Sequence, residues 1–118
     1  MPCVFCKIIK KELPSTTIYE DDNVIAIVPL DAVTKGHTLL IPKQHFENIF
    51  DVDETVFVHF SKILRKLSTD LVKETKATGI NILNANGVDA QQSVPHLHFH
   101  LVPRYPEDGL DLWIKQNL

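Results

Sequence analysis

The chain has no apolar run approaching the ~18 residues of a membrane span. It has no excess of basic charge either. Twelve Lys and Arg stand against 15 Asp and Glu, for a net charge of −3. That balance leaves no electrostatic footprint for nucleic acid or an anionic lipid surface. A phosphate-bearing ligand would have to be held by local donors. There are only two cysteines, Cys3 and Cys6. The opening M-P-C-V-F-C-K-I-I-K-K has too short an apolar stretch for a secretory signal, so a cytoplasmic location is expected. In that compartment the cysteines are expected as thiols or metal ligands rather than as a disulfide.

Repeats, low-complexity tracts and linkers are also missing, which leaves one domain over residues 1–118. Apolar residues make up 44% and charged residues 23%, ordinary values for a globular chain with one core. Val4, Phe5, Ile8 and Ile9 fall at helical spacing, predicting a short helix that runs until Pro14. Thr16–Tyr19 and Val24–Val28 read as a hairpin, and Gly36–Ile41 as a third strand stopped by Pro42. Asp53 is placed to cap a long helix reaching about Ala77, with Gly79 as its C-cap candidate. Ile80–Leu83 and His96–Val102 read as strands joined by the polar loop Asn84–Val94, and Pro103 closes the second. The last fifteen residues, with Trp113, read as a short packing tail. Hairpin strands around one long helix predict an α+β domain with a largely antiparallel sheet.

The chain has six histidines, and three of them fall at two-residue spacing in V-P-H-L-H-F-H-L-V-P. On a strand, His96, His98 and His100 would share one face, with Leu97, Phe99 and Leu101 on the other. The leucine face would be the buried one, leaving the histidines in a pocket or on a partly solvated surface. One metal ion cannot use all three, because His96 and His100 would lie roughly 13 Å apart on a straight strand. A division of labour follows. A neutral imidazole can attack phosphorus or carbonyl carbon, and a neighbour can bind substrate or carry a proton. The preceding loop adds donors at Asn84, Asn86, Gln91, Gln92 and Ser93.

Residues 86–102, from Asn86-Gly87 through Gln92-Ser93-Val94-Pro95-His96-Leu97-His98-Phe99-His100, resemble the signature of the histidine triad (HIT) superfamily, most closely its Hint branch. Phe5 to Pro14, Tyr19-Glu20-Asp21-Asp22 and Gly36-His37 to His45 are similar to that branch in the same order. The resemblance implies a five-stranded, mostly antiparallel sheet with one long helix and a short N-terminal helix. It implies hydrolysis of nucleoside phosphoramidates of adenosine or guanosine type through a nucleotidyl-histidine on His98. His100 would contact phosphate and leaving group, His37 would assist proton transfer, and Ser93 would lie near the leaving group. Backbone N–H groups around Gln91–Ser93 would bind phosphate, with Asn84 or Asn86 also facing it. Phe5, Ile8, Ile27 and Leu30 would flank the base. Pro29 stands where the branch usually carries a ribose-binding acid, and Asp31 follows two residues later. The resemblance also implies a homodimer.

Cys3-x-x-Cys6 alone leaves several readings open: free thiols in a helix, a redox pair, or half of a zinc site that needs two more ligands. Similarity to some HIT members implies that the other two are His45 and His96, forming a closed structural zinc site with no catalytic role. His59 reads as an exposed helix residue. Two other functions remain beside the phosphoramidase. One is hydrolysis of diadenosine polyphosphates. The other is a nucleotide-binding regulatory module with incidental turnover.

Overall fold

The computed structural model describes residues 3–115. Helix α1 (Val4–Ile9) is capped by Cys3, whose sulfur accepts from the Cys6 amide. It stops well before Pro14. The Lys11 amide donates to the Ile8 carbonyl and the Glu12 amide to that of Lys7, while Lys11 takes a left-handed φ of 66°. This double bond closes the last turn and turns the chain toward the sheet.

Strands β1 (Thr16–Glu20) and β2 (Val24–Val28) form the expected hairpin. Strand β3 (Thr38–Pro42) starts two residues later than its apolar run suggests. Gly36 belongs to the turn before it, with φ of +89° and room for no more than a hydrogen, since a Cβ would sit 2.9 Å from Thr75 Cγ2. Helix α2 (Glu54–Thr75) is capped by the Asp53 carboxylate, which accepts from the Val56 amide at 3.0 Å. Its C-cap is Lys76 in the left-handed region, not Gly79, which opens β4 (Gly79–Leu83) opposite Arg104. Strand β5 covers Phe99–Arg104 and passes through Pro103, which pairs with Ile80. The sheet order is β1-β2-β3-β5-β4, with every pairing antiparallel.

Both faces of the sheet are covered, so β2 is apolar throughout and β3 is buried along its whole length rather than alternating. On one face Phe60, Ile63, Leu67 and Leu71 of α2 pack on Val24, Ala26, Leu40 and Leu101. At ~1.5 Å per residue α2 is about 33 Å long and spans nearly the whole domain. On the other face Phe5 of α1 packs on Ile25, Ile27, Leu39 and Ile41. Trp113 is 70% exposed and so does not pack as expected of the tail, whose last three residues lie outside the described ones. His59 is half-buried and bonded to Asp21 at 2.8 Å, joining α2 to the β1–β2 turn rather than facing solvent. Among the described residues, no helix is long and apolar enough to cross a membrane.

Candidate active site

The three histidines do not share one regular strand. Only His100 lies in β5; His96 and His98 precede it in an irregular segment. His96 is fully buried and His98 nearly so, and of the two alternatives, pocket or partly solvated surface, His98 and His100 take the pocket. The segment is held from behind: the Leu97 amide donates to the Phe46 carbonyl at 2.7 Å, and Asn84 Nδ2 donates to the His98 carbonyl at 3.0 Å.

Each imidazole is oriented by an unambiguous partner. His98 Nδ1 lies 2.8 Å from the His96 carbonyl, which only accepts. The proton therefore sits on Nδ1, and the Nε2 lone pair is free. The Val33 amide donates to His37 Nδ1 at 3.1 Å, so neutral His37 carries its proton on Nε2. That proton points at His100 Nδ1, 3.0 Å away. His100 in turn keeps its own proton on Nε2, ready to donate. Two neighbouring rings, 5.3 Å between centroids, thus present a lone pair and a donor. Burial holds His37 and His98 below the ordinary histidine range. Burial, then the proximity of His98 and His37, takes His100 down to about 4. The pair is neutral at neutral pH.

These rings close one end of a cleft of about 870 Å³, a size ordinary for a small-ligand site. The register Thr17↔Ile27↔Leu39↔His100 runs straight across four strands, and Ile27, Leu39 and His100 of this row line the cleft. At ~4.8 Å per strand that row is roughly 14 Å long. Phe5 and Ile8 of α1 form a wall, with the Phe5 ring edge-on to His98 at 5.1 Å. Leu30, Asp31 and Ser93 line the rim. The α1–β1 connection, Leu13 to Thr16, also lines the cleft. The Phe5 to Pro14 motif covers Leu13 and Pro14, but it gave them no role in the site. Val33 was missed because it acts through its amide and leaves no side-chain signal.

The loop donors are arranged differently from the expectation. The Gln91 amide donates to the Val88 carbonyl and that of Gln92 to the Gly87 carbonyl, so both are engaged inside the turn. The Gln92 side chain accepts from Gly87 N–H and donates to the Glu47 and Val94 carbonyls. Asn86 accepts from the Ile49 amide and donates to Asn84. None of these four side chains lines the cleft.

Cys3, Cys6, His45 and His96 converge behind His98, with one ligand atom from each within 4.8 Å of the others. His96 Nδ1 is 3.3 Å from Cys3 Sγ and 3.6 Å from Cys6 Sγ; His45 Nδ1 is 3.3 Å from Cys6 Sγ. Bonds of ~2.3 Å to sulfur and ~2.0 Å to nitrogen give tetrahedral edges of roughly 3.5 Å, so the four donors fit a metal ion. His96 Nε2 donates to the Pro42 carbonyl at 2.8 Å, which leaves Nδ1 as the ligand atom. Burial takes His96 down to about 4, so the ring is neutral as a ligand must be. Burial and the neighbouring Cys3 push the Cys6 thiol up; a cation among the four would reverse that.

Comparison with known proteins agrees with this geometry. The HIT domain family matches residues 10–107. An uncharacterized HIT-like protein of Borreliella burgdorferi is 45% identical over 91% of this chain and 78% of its own. An adenosine 5′-monophosphoramidase of Saccharomyces cerevisiae is 36% identical over 89% of this chain and 64% of its own. Among solved structures, a HIT family member from Bacillus subtilis superposes with a TM-score of 0.92 at 40% identity, covering 99% of this chain and 84% of that one. A Zn-bound histidine triad protein from Mycobacterium smegmatis gives 0.88 at 33% identity, covering 99% and 85%.

Proposed function

The chain belongs to the HIT domain family, and on that premise we propose that it hydrolyses nucleoside phosphoramidates through a nucleotidyl-histidine on His98. The observation that carries the reading is the opposed pair of tautomers: a free Nε2 lone pair on His98 beside an Nε2–H donor on His100. The similarity to a monophosphoramidase supports the substrate class.

In the proposed reaction the base lies between Phe5, Ile8 and Ile27, with Leu30 at the rim and Asp31 beside the sugar. The phosphate sits at His98 and His100. The His98 Nε2 lone pair forms a bond to phosphorus while the P–N bond to the amine breaks. The amine leaves with that electron pair and takes a proton from solvent relayed through Ser93, which is exposed at the mouth. The positive charge on His98 is eased by its Nδ1–H bond to the His96 carbonyl. His100 donates to a phosphoryl oxygen, and His37 keeps it in the donating form. Water then attacks phosphorus and gives up a proton to solvent, the P–N electron pair returns to His98 Nε2, and nucleoside monophosphate is released.

Cys3, Cys6, His45 and His96 would hold zinc, which supplies structural cross-linking and no chemistry on substrate. Ligation by these four residues would join α1, and so the Phe5 wall, to His96, whose carbonyl orients His98. The exposed Phe50 and Val88, with Ile82 on edge strand β4, support a homodimer. Two thiols serving as ligands fit a reducing, cytoplasmic setting. Turnover of an adenosine phosphoramidate, abolished in His98→Ala, tests the reading. Faster cleavage of a diadenosine polyphosphate would favour the other enzyme class. Tight AMP binding without turnover of either would favour a regulatory module.

A further inference from the structure

Two side-chain amides form a one-way chain that ends on the nucleophile. The ladder between β4 and β5 stops at Leu83↔His100. Beyond it, Asn84 Nδ2 donates to the His98 carbonyl at 3.0 Å, adding one side-chain bond where the backbone ladder has ended. Asn84 Oδ1 accepts from Asn86 Nδ2, and Asn86 Oδ1 accepts from the Ile49 amide at 2.8 Å. The chain has fixed ends. The Ile49 N–H can only donate and the His98 carbonyl can only accept. Both amides between them are therefore locked in one orientation, and a carboxylate at either position would break the sequence of donors and acceptors.

The far end of this chain is well anchored. Asp51 accepts from the Glu47 and Asn48 amides, at 3.1 and 2.9 Å. Gln92 reaches the Glu47 carbonyl, and the Leu97 amide reaches that of Phe46. Segment 46–51 thus buttresses the irregular stretch that carries His98, where no strand pairing holds it.

We propose that Asn86 and Asn84 are positioning residues for His98, not phosphate ligands. Asn86 fixes Asn84, and Asn84 fixes the backbone of the nucleophile, so that Nε2 points along the line of attack. The proposal rests on the phosphoramidase reading for its kinetic consequence, but its structural part is separable. A misplacement of about 1 Å at a reacting atom costs on the order of a hundredfold in rate.

The test compares Asn86→Ala and Asn86→Asp with wild type by steady-state hydrolysis of an adenosine phosphoramidate, by AMP affinity and by imidazole nitrogen NMR of His98. In both variants kcat is expected to fall about a hundredfold, with KM and AMP affinity within about twofold. The Nδ1–H signal of His98 should broaden or shift. Asn84→Ala combined with Asn86→Ala should lose no more than Asn84→Ala alone, since one chain is cut once. A tenfold loss of AMP affinity with an unchanged His98 spectrum, worst in Asn86→Asp, would overturn the proposal in favour of a phosphate contact. If wild type fails to turn over, the hydrolase reading falls, while the His98 spectra still decide whether the amides hold the ring. Should Asn86→Ala fold poorly, Asn86→Asp, which keeps an acceptor for Ile49, carries the comparison.

Discussion

Removing His37 tests whether His100 is held in a single donating tautomer. In His37→Ala the 3.0 Å bond to His100 Nδ1 disappears, and a nitrogen on a half-buried ring loses its partner. An unpartnered buried acceptor costs about 1–3 kcal/mol. His100 recovers part of that by moving its proton to Nδ1, which turns a lone pair toward the phosphoryl oxygens in place of a donor. At 1.36 kcal/mol per tenfold, kcat should fall about 5- to 150-fold. His37→Gln keeps a donor facing His100 and should retain more activity than the alanine variant. The assay is steady-state hydrolysis of an adenosine phosphoramidate, with nitrogen NMR of His100 to read the tautomer. The wild-type acid limb is informative as well. Burial holds His37 below the ordinary ~6.5 and takes His100 to about 4, so kcat should persist below pH ~6.5. Wild-type kcat in His37→Ala, or an unchanged His100 tautomer, would refute the reasoning.

Acid should weaken the fold of chelator-treated protein. Folded His96 titrates at about 4, against ~6.5 when unfolded, so between those values the unfolded chain binds more protons. Stability is then full above pH ~6.5 and declines toward pH 4, by on the order of 3 kcal/mol for this fully buried ring. Urea titrations at pH 7 and 4.5 check the sign. Zinc should raise Tm in wild type, and Cys6→Ser should largely remove that rise; equal Tm values with and without the ion would contradict the four-ligand site. Gly36→Ala should lower stability, since φ is +89° and the new methyl would meet Thr75 Cγ2 at 2.9 Å. A urea midpoint equal to wild type would show that the turn relaxes freely.

The hairpin, the Asp53 cap and the length of α2 were legible because each rests on local patterning: β-rich runs, a capping carboxylate and a three- to four-residue apolar repeat. The ends of β3 and β5 were not, because tertiary packing sets them. Gly36 turns at a φ of +89° ahead of the strand, where a Cβ would meet Thr75, and Pro103 sits inside a strand that composition alone would have ended there. Spacing suggested that His96 and His100 do not share one ion; the straight strand it assumed does not form, but the metal-competent cluster holds His96 without His100. Spacing could not show that His96 is buried, because its solvent is replaced by residues more than fifty positions away: Cys3, Cys6 and Pro42. Asn84, Asn86 and Gln92 illustrate the opposite limit. Their residue types suggested phosphate donors, but backbone groups occupy them: the His98 carbonyl, the Ile49 amide and, within the loop, the Gly87 amide. Donor-rich composition tells what a loop can bond, not what it does bond.

The central claim is that His98 Nε2 attacks phosphorus. Intact-protein mass spectrometry after brief, acid-free quenching of the enzyme with an adenosine phosphoramidate measures it most directly, followed by peptide mapping. One adenylate should be found on His98, absent from His98→Ala and decaying at the rate of turnover. Steady turnover with no adduct, or an adduct on His100 or His37, would contradict the account.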